Sequence, residues 1–183
     1  MIRFVRNTLQ TTLFTAGLLL GTNAAFAQTP APDAQAATQR QTLQAEITRE
    51  GLKRFTAPGY KPGRVEHIVL FRYKDTVTDK QKAEVKKRFL ALEQIAKRSG
   101  KRYITSIITG KQNSGEGVDH GFEQAFVVRF KSEGDRNYYV GAPIVEDAKY
   151  YDPKHAEFKT FVGPLLAEGQ QGVLVFDFAA DKH

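Results

Sequence analysis

Val65–Lys74, VEHIVLFRYK, is the stretch that decides the fold. Val65, His67, Val69, Phe71 and Tyr73 project to one side of an extended chain, and Ile68 and Leu70 to the other. Period two marks a strand. Apolar side chains on both faces mark a central strand, covered above and below.

The chain on either side supports this reading. Thr78-Asp79-Lys80-Gln81 is a capping box: the Thr hydroxyl satisfies the Gln81 N–H, and the Gln side chain reaches back. It predicts a helix to about Lys97, with Val85, Phe89, Leu92 and Ala96 as its apolar stripe and Ser99-Gly100 as its stop. Arg102–Gly110, RYITSIITG, and Phe122–Lys131, FEQAFVVRFK, are β-branched and aromatic strands joined by the polar loop KQNSGEGVDHG. Ser132–Val140 is a short helix or turn. Asp152-Pro153 opens a second helix, with Asp as cap and Pro at the first helical position. That helix carries Phe158, Phe161 and Val162 before Gly163-Pro164 interrupts it. Gly172–Phe178, GVLVFDF, is the last strand. The order strand, helix, strand, strand, helix, strand predicts an α+β domain over residues 64–180. One four-stranded antiparallel sheet carries its helices on one face.

Upstream, residues 1–27 have a basic start (Arg3, Arg6), an apolar run near Leu13–Leu20 and the small-x-small site Ala25-Phe26-Ala27. That layout predicts a secretory signal peptide, hence a secreted, periplasmic protein with no stable membrane span after cleavage. Residues 28–63 read as a linker. It is Ala-, Gln- and Pro-rich at first, has a possible short helix over 40–55 on Leu43 and Ile47, and closes with the turn-rich Ala57–Gly63.

Composition narrows the function classes. The chain has no cysteine, which excludes disulfides, thiolate nucleophiles and cysteine metal sites. The net charge is +7, or +5 once Arg3 and Arg6 leave with the acid-free signal. Lys and Arg are interspersed with Asp and Glu, so nucleic-acid binding is not indicated. The loop GKQNSGEG joins two strands and lacks the phosphate-loop pattern. No G-x-S-x-G or H-E-x-x-H occurs. No metal or cofactor is expected; the one combination left open is a spatial cluster of His67, His155 and Asp177.

Two of the four histidines lie on apolar faces. His67 shares a strand face with Val69, Phe71 and Tyr73. His155 shares a helix face with Phe158 and Val162, in a first turn whose dipole favours the neutral imidazole. In structural terms both are ordinary: a core-strand histidine and a helix-start polar residue. With Tyr138, Tyr139, Tyr150 and Tyr151 close in sequence, they also fit an aromatic pocket for a small organic ligand. Its expected lining is Val69, Phe71, Tyr73, Val85, Phe89, Tyr139, Phe158 and Val162.

Five segments in order, VEHIVLFRYKDTVTDKQKAEVKKRFLAL, GKQNSGEGVDHGFEQAFVVRF, EGDRNYYV, PKHAEF and VLVFDF, resemble the stress-responsive dimeric A/B barrel (Dabb) family over about residues 64–178. The resemblance implies a ferredoxin-like α+β unit whose sheet packs on that of a second copy, so the partner is self and the assembly a homodimer. It implies a small-molecule binder or, as in the family's polyketide cyclases, an enzyme. In the enzyme, His155 of an H-x-x-F helix is the general base, His67 its support and Tyr139 an accompanying hydroxyl. Phe89 stands where those cyclases carry a tyrosine, and the link between Tyr139 and Pro153 is longer than usual. Haem is bound in the wider superfamily; nothing beyond the histidines points to it here.

Overall fold

A computed structural model describes residues 32–180; the expected signal peptide, residues 1–27, lies outside the described residues. The helices are α1 (Pro32–Glu50), α2 (Leu52–Phe55), α3 (Asp79–Ile95), α4 (Glu133–Val140) and α5 (Pro153–Val162). The strands are β1 (Pro62–Phe71), β2 (Lys97–Arg98), β3 (Lys101–Arg102), β4 (Ser106–Lys111), β5 (Gln124–Ser132) and β6 (Val173–Ala179). None of the described helices is long and apolar enough to cross a membrane.

The main sheet is antiparallel in the order β4-β5-β1-β6, so the two-faced strand β1 is central as its pattern requires. Its inner face packs Val65, Val69 and Phe71 against Val85, Phe89 and Leu92 of α3 and Phe158 and Val162 of α5. This is the ferredoxin-like α+β arrangement. The capping box at α3 forms as expected, with the Thr78 hydroxyl accepting from the Gln81 N–H and the Gln81 side chain accepting from the Thr78 N–H.

Helix α3 stops earlier than expected. Lys97–Arg98 instead pairs with Lys101–Arg102 in a small hairpin. Ser99 and Gly100 turn it at φ 48° and 78°, the left-handed geometry of a two-residue hairpin loop. The strand predicted over 102–110 therefore begins in this hairpin and enters the sheet only at Ser106.

The segment expected as a flexible linker is helical from Pro32 onward. Its Ala- and Gln-rich tract is made of good helix formers, and tertiary docking supplies what such a polar helix lacks alone. Leu43 and Ile47 pack on a second, smaller core of Phe55, Tyr60 and Val145. Glu46 accepts from the Tyr60 hydroxyl at 2.9 Å and the Lys61 ammonium at 2.6 Å.

The chain then threads tightly past α4. The Phe55 carbonyl accepts from Asn137 Nδ2 at 2.9 Å, and the Tyr60 carbonyl from the Gly134 N–H at 3.1 Å. A β-carbon at Gly134 would lie 1.9 Å from the Ala57 carbonyl oxygen. Gly134→Ala must therefore push α4 and the 55–60 segment apart. We expect a loss of about 2 kcal/mol or more, read as a lowered urea midpoint.

Candidate functional site

The register of β1 with β6 sets His67 opposite Asp177. His67 Nδ1 donates to Asp177 Oδ1 at 2.6 Å, and Arg136 of α4 donates to Asp177 Oδ2 at 2.7 Å. Burial pushes the Asp177 carboxyl up, but His67 and Arg136 together outweigh it and hold the group below its ordinary value. This pairing also fixes the His67 tautomer, with hydrogen on Nδ1.

His155 is placed by its helix cap. Asp152, the N-cap of α5, accepts from the N–H groups of Lys154 and His155 through Oδ1, at 2.7 and 3.1 Å. Its Oδ2 accepts from the buried Tyr103 hydroxyl. The cap is thus pinned from the β3–β4 side as well as from its own helix. His155 Nδ1 donates to the Tyr139 carbonyl at 2.6 Å. Its ring stacks on the Tyr139 ring at 3.7 Å and 14°. Tyr139 also meets His67 edge-on at 5.5 Å.

The two histidines therefore lie on the same, helical side of the sheet, joined through one tyrosine. They do not converge with Asp177 on a common point, because the Tyr139 ring and carbonyl occupy His155 while Asp177 occupies His67. With hydrogen on Nδ1, His155 keeps Nε2 as its lone-pair nitrogen. Its proton affinity is low, with the pKa brought down from 6.5 to about 3. Burial is the main cause, and the nearby Lys159 charge adds to it. The expected direction holds, but desolvation rather than the helix dipole leads it.

The residues expected to line a pocket are instead a closed core. Val69, Phe71, Tyr73, Val85, Phe89, Tyr139, Phe158 and Val162 are all buried in one cluster. Their own rings fill the space: Phe89 stacks on Phe126 at 3.9 Å and meets Phe158 edge-on at 5.0 Å. Tyr73 hydrogen-bonds to Gln124 at 2.6 Å. Two of the eight border surface clefts. Tyr73 edges one of about 270 Å³ beside Lys82 and Glu123, and Phe158 one of about 210 Å³ beside Phe161.

Within this cluster the Tyr139 hydroxyl is fully buried and, among the described residues, has no hydrogen-bond partner. The long link after Tyr139 folds over α4. Lys159 Nζ donates to the Val140 and Ala142 carbonyls at 2.9 and 3.1 Å, Val145 enters the second core, and the Asp152 N–H returns to the Tyr138 carbonyl at 2.9 Å. Arg136 escaped the sequence reading. Its one signal is the spacing of three from Tyr139, which sets both on one face of α4.

The sequence profile of the stress responsive A/B barrel domain matches residues 65–180. The chain belongs to the stress responsive A/B barrel domain family. Among solved structures, the A/B barrel chain is similar to the Arabidopsis thaliana protein At3g17210, with 24% identity and a TM-score of 0.50 over 65% of this chain and 97% of that one. It is similar in the same way to a hydroxynitrile lyase from Passiflora edulis, with 21% identity and a TM-score of 0.50 over 67% of this chain and 97% of that one. A dimeric ferredoxin-like protein of unknown function from Jannaschia sp. CCS1 matches with 16% identity and a TM-score of 0.49, over 64% and 100% of the two chains. A search of curated proteins found no match. At these identities the Arabidopsis and Passiflora structures speak for the fold alone.

His155 makes stability depend on pH in a definite direction. Unfolded, it gains a proton near its ordinary 6.5; folded, only near 3. Its contribution is complete above about pH 6.5 and is lost as pH falls from there toward 3. The loss approaches about 1.4 kcal/mol per pH unit at most. Asp177, with an ordinary value of 3.8 and held lower in the fold, adds its own loss only as pH falls below about 3.8, beneath the pH 7 to 5 range of the test. Urea unfolding at pH 7, 6 and 5 should show the decline in wild type and a much flatter profile in His155→Gln.

Proposed function

We propose that this protein works as a homodimeric A/B barrel that binds a small organic molecule at the His155–Tyr139–His67 cluster, without a chemical step of its own. Pairing is supported by the outer face of the sheet. Ile68 stands between Val127 and Phe176 in the register, and Leu70 between Ala125 and Leu174. Exposure there is high for apolar side chains: 62% for Ile108 and 58% for Phe176. A second copy applied by a two-fold axis would cover this face with the same residues.

The ligand reading rests on the Tyr139 hydroxyl. A buried donor without a partner is costly, and one flanked by two oriented imidazoles is completed by an oxygen from a carbonyl or phenolic ligand. The ring must yield some of the closed core to admit it. A second reading, a polyketide-cyclase-like enzyme with His155 as general base, is favoured by the lone pair left on His155 Nε2. The low proton affinity of that nitrogen favours binding over catalysis. Export belongs to the same proposal and rests on the order of residues in 1–27; intact mass of the periplasmic protein should then begin at Gln28.

Light scattering after size exclusion should give a dimer for wild type and a monomer for Phe176→Glu. Phenolic and β-keto compounds should raise the wild-type melting temperature by a few degrees. Tyr139→Phe and His155→Ala should each lose that shift. A compound that binds both variants as well as wild type would displace the ligand site, and turnover of a bound compound would promote the enzyme reading.

A further inference from the structure

The hairpin KRSGKR, residues 97–102, gathers four cations in six residues. In its register Lys97 faces Arg102 and Arg98 faces Lys101. Both cross-strand pairs are like-charged, which weakens a two-stranded ribbon. The tight Ser99-Gly100 turn enforces that register and holds the charges together.

Only Arg98 is neutralised. It donates to Asp135 Oδ1 at 3.0 Å and to the Gly134 carbonyl at 3.2 Å, and its guanidinium lies 4.2 Å from the Tyr138 ring centre. These contacts anchor the ribbon to α4. Arg102 meets the neutral Gln94 side chain at 3.0 Å. Among the described residues Lys97, Lys101, Arg102 and Lys131 form no salt bridge, whereas Arg64, Arg88, Arg129 and Lys154 each do.

Beside the hairpin opens a cleft of about 880 Å³, lined among others by Arg98, Lys101, Arg102, Tyr103, Lys131 and Asp135. Lys131 comes from β5, so the charges converge from two separate elements. With Arg98 and Asp135 cancelling, Lys101, Arg102 and Lys131 give the cleft three uncompensated positive charges on a fixed frame.

We propose that this cleft binds a multivalent phosphate: a ligand carrying two or more phosphate groups, either free or presented together as lipid headgroups. The guanidinium of Arg102 supplies planar paired donors, and the two ammonium groups supply point charges around it. The site is separate from the His155 cluster and uses none of its residues, so it stands or falls independently of the proposed ligand there.

The test uses the full chain with tripolyphosphate in a calorimetric titration, and with phosphatidylglycerol or phosphatidylcholine vesicles in a sedimentation assay. Wild type should bind tripolyphosphate, phosphatidylglycerol vesicles or both, and should lose affinity as salt rises from about 0.02 M to about 0.3 M. Binding of tripolyphosphate supports a free ligand; binding of phosphatidylglycerol vesicles alone supports clustered headgroups. Lys101→Ala/Arg102→Ala and, separately, Lys131→Ala should each weaken binding about tenfold or more with unchanged melting temperature. Arg98 is left intact because it ties the hairpin to α4. Lys86→Ala/Lys87→Ala, on the exposed side of α3, should bind like wild type. Failure to bind either probe at low salt would overturn the proposal. So would wild-type affinity in the cleft variants, or an equal loss in the α3 variant.

Discussion

Strand β1 must satisfy two apolar faces while its own chain supplies a single layer of helices. That constraint organises the molecule. On the inner side, Val65, Val69 and Phe71 draw in α3 and α5 and define where the aromatic core lies. On the outer side, Ile68 and Leu70 continue through Val127, Leu174 and Phe176 into an uncovered apolar surface. Glu66 sits on that same outer face: Arg129 donates to one carboxylate oxygen, Arg64 is ion-paired with the same oxygen, and the other is buried without a partner among the described residues. Both the greasy surface and the half-satisfied carboxylate describe a face whose energetics are incomplete in one chain.

The same inner packing explains why the histidine cluster is closed. Phe89, Phe126 and Phe158 occupy the volume between sheet and helices, and none of them brings a polar group. His155 is then solvated only by the Tyr139 carbonyl and the face of its ring, so the charged imidazolium is strongly disfavoured. His67 sits in a different setting, tied to a carboxylate that is itself tied to Arg136. Two histidines a few ångströms from one tyrosine thus have opposite electrostatic surroundings: an apolar clamp and an ionic one.

Much of the fold is written in local sequence. Alternation in VEHIVLFRYK, the Thr78–Gln81 box and Asp152-Pro153 each act within a few residues, and each produces its element, although β1 starts at Pro62 and ends at Phe71, earlier at both ends than the alternating stretch. The site is less local. The His67–Asp177 hydrogen bond joins residues 110 apart and exists only because β1 and β6 pair in one register. The filling of the expected pocket depends on Phe126, which no short-range pattern assigns to the ring of Phe89. Helix α1 was legible only in its second half, through Leu43 and Ile47; its first half is polar with almost no amphipathic stripe, and the whole docks once Phe55, Tyr60 and Val145 assemble beneath those two residues. The 97–102 ribbon looked like a helix end because Ser99-Gly100 serves equally well as a stop signal and as a hairpin turn.

The close passage of residues 55–61 over α4 bears on how this barrel can be inherited or rearranged. The family match begins at residue 65, yet the first-turn N–H groups of Glu133 and Gly134 and the amide of Asn137 find their acceptors in Lys61, Tyr60 and Phe55. Helix α4 in turn carries Tyr139 and Arg136. The unit recognised by similarity is therefore smaller than the unit that closes its own hydrogen bonds. In a shuffled or fused gene cut at residue 65, α4 would lose these three acceptors, so the helix that carries Tyr139 and Arg136 is tied to the segment ahead of the family match.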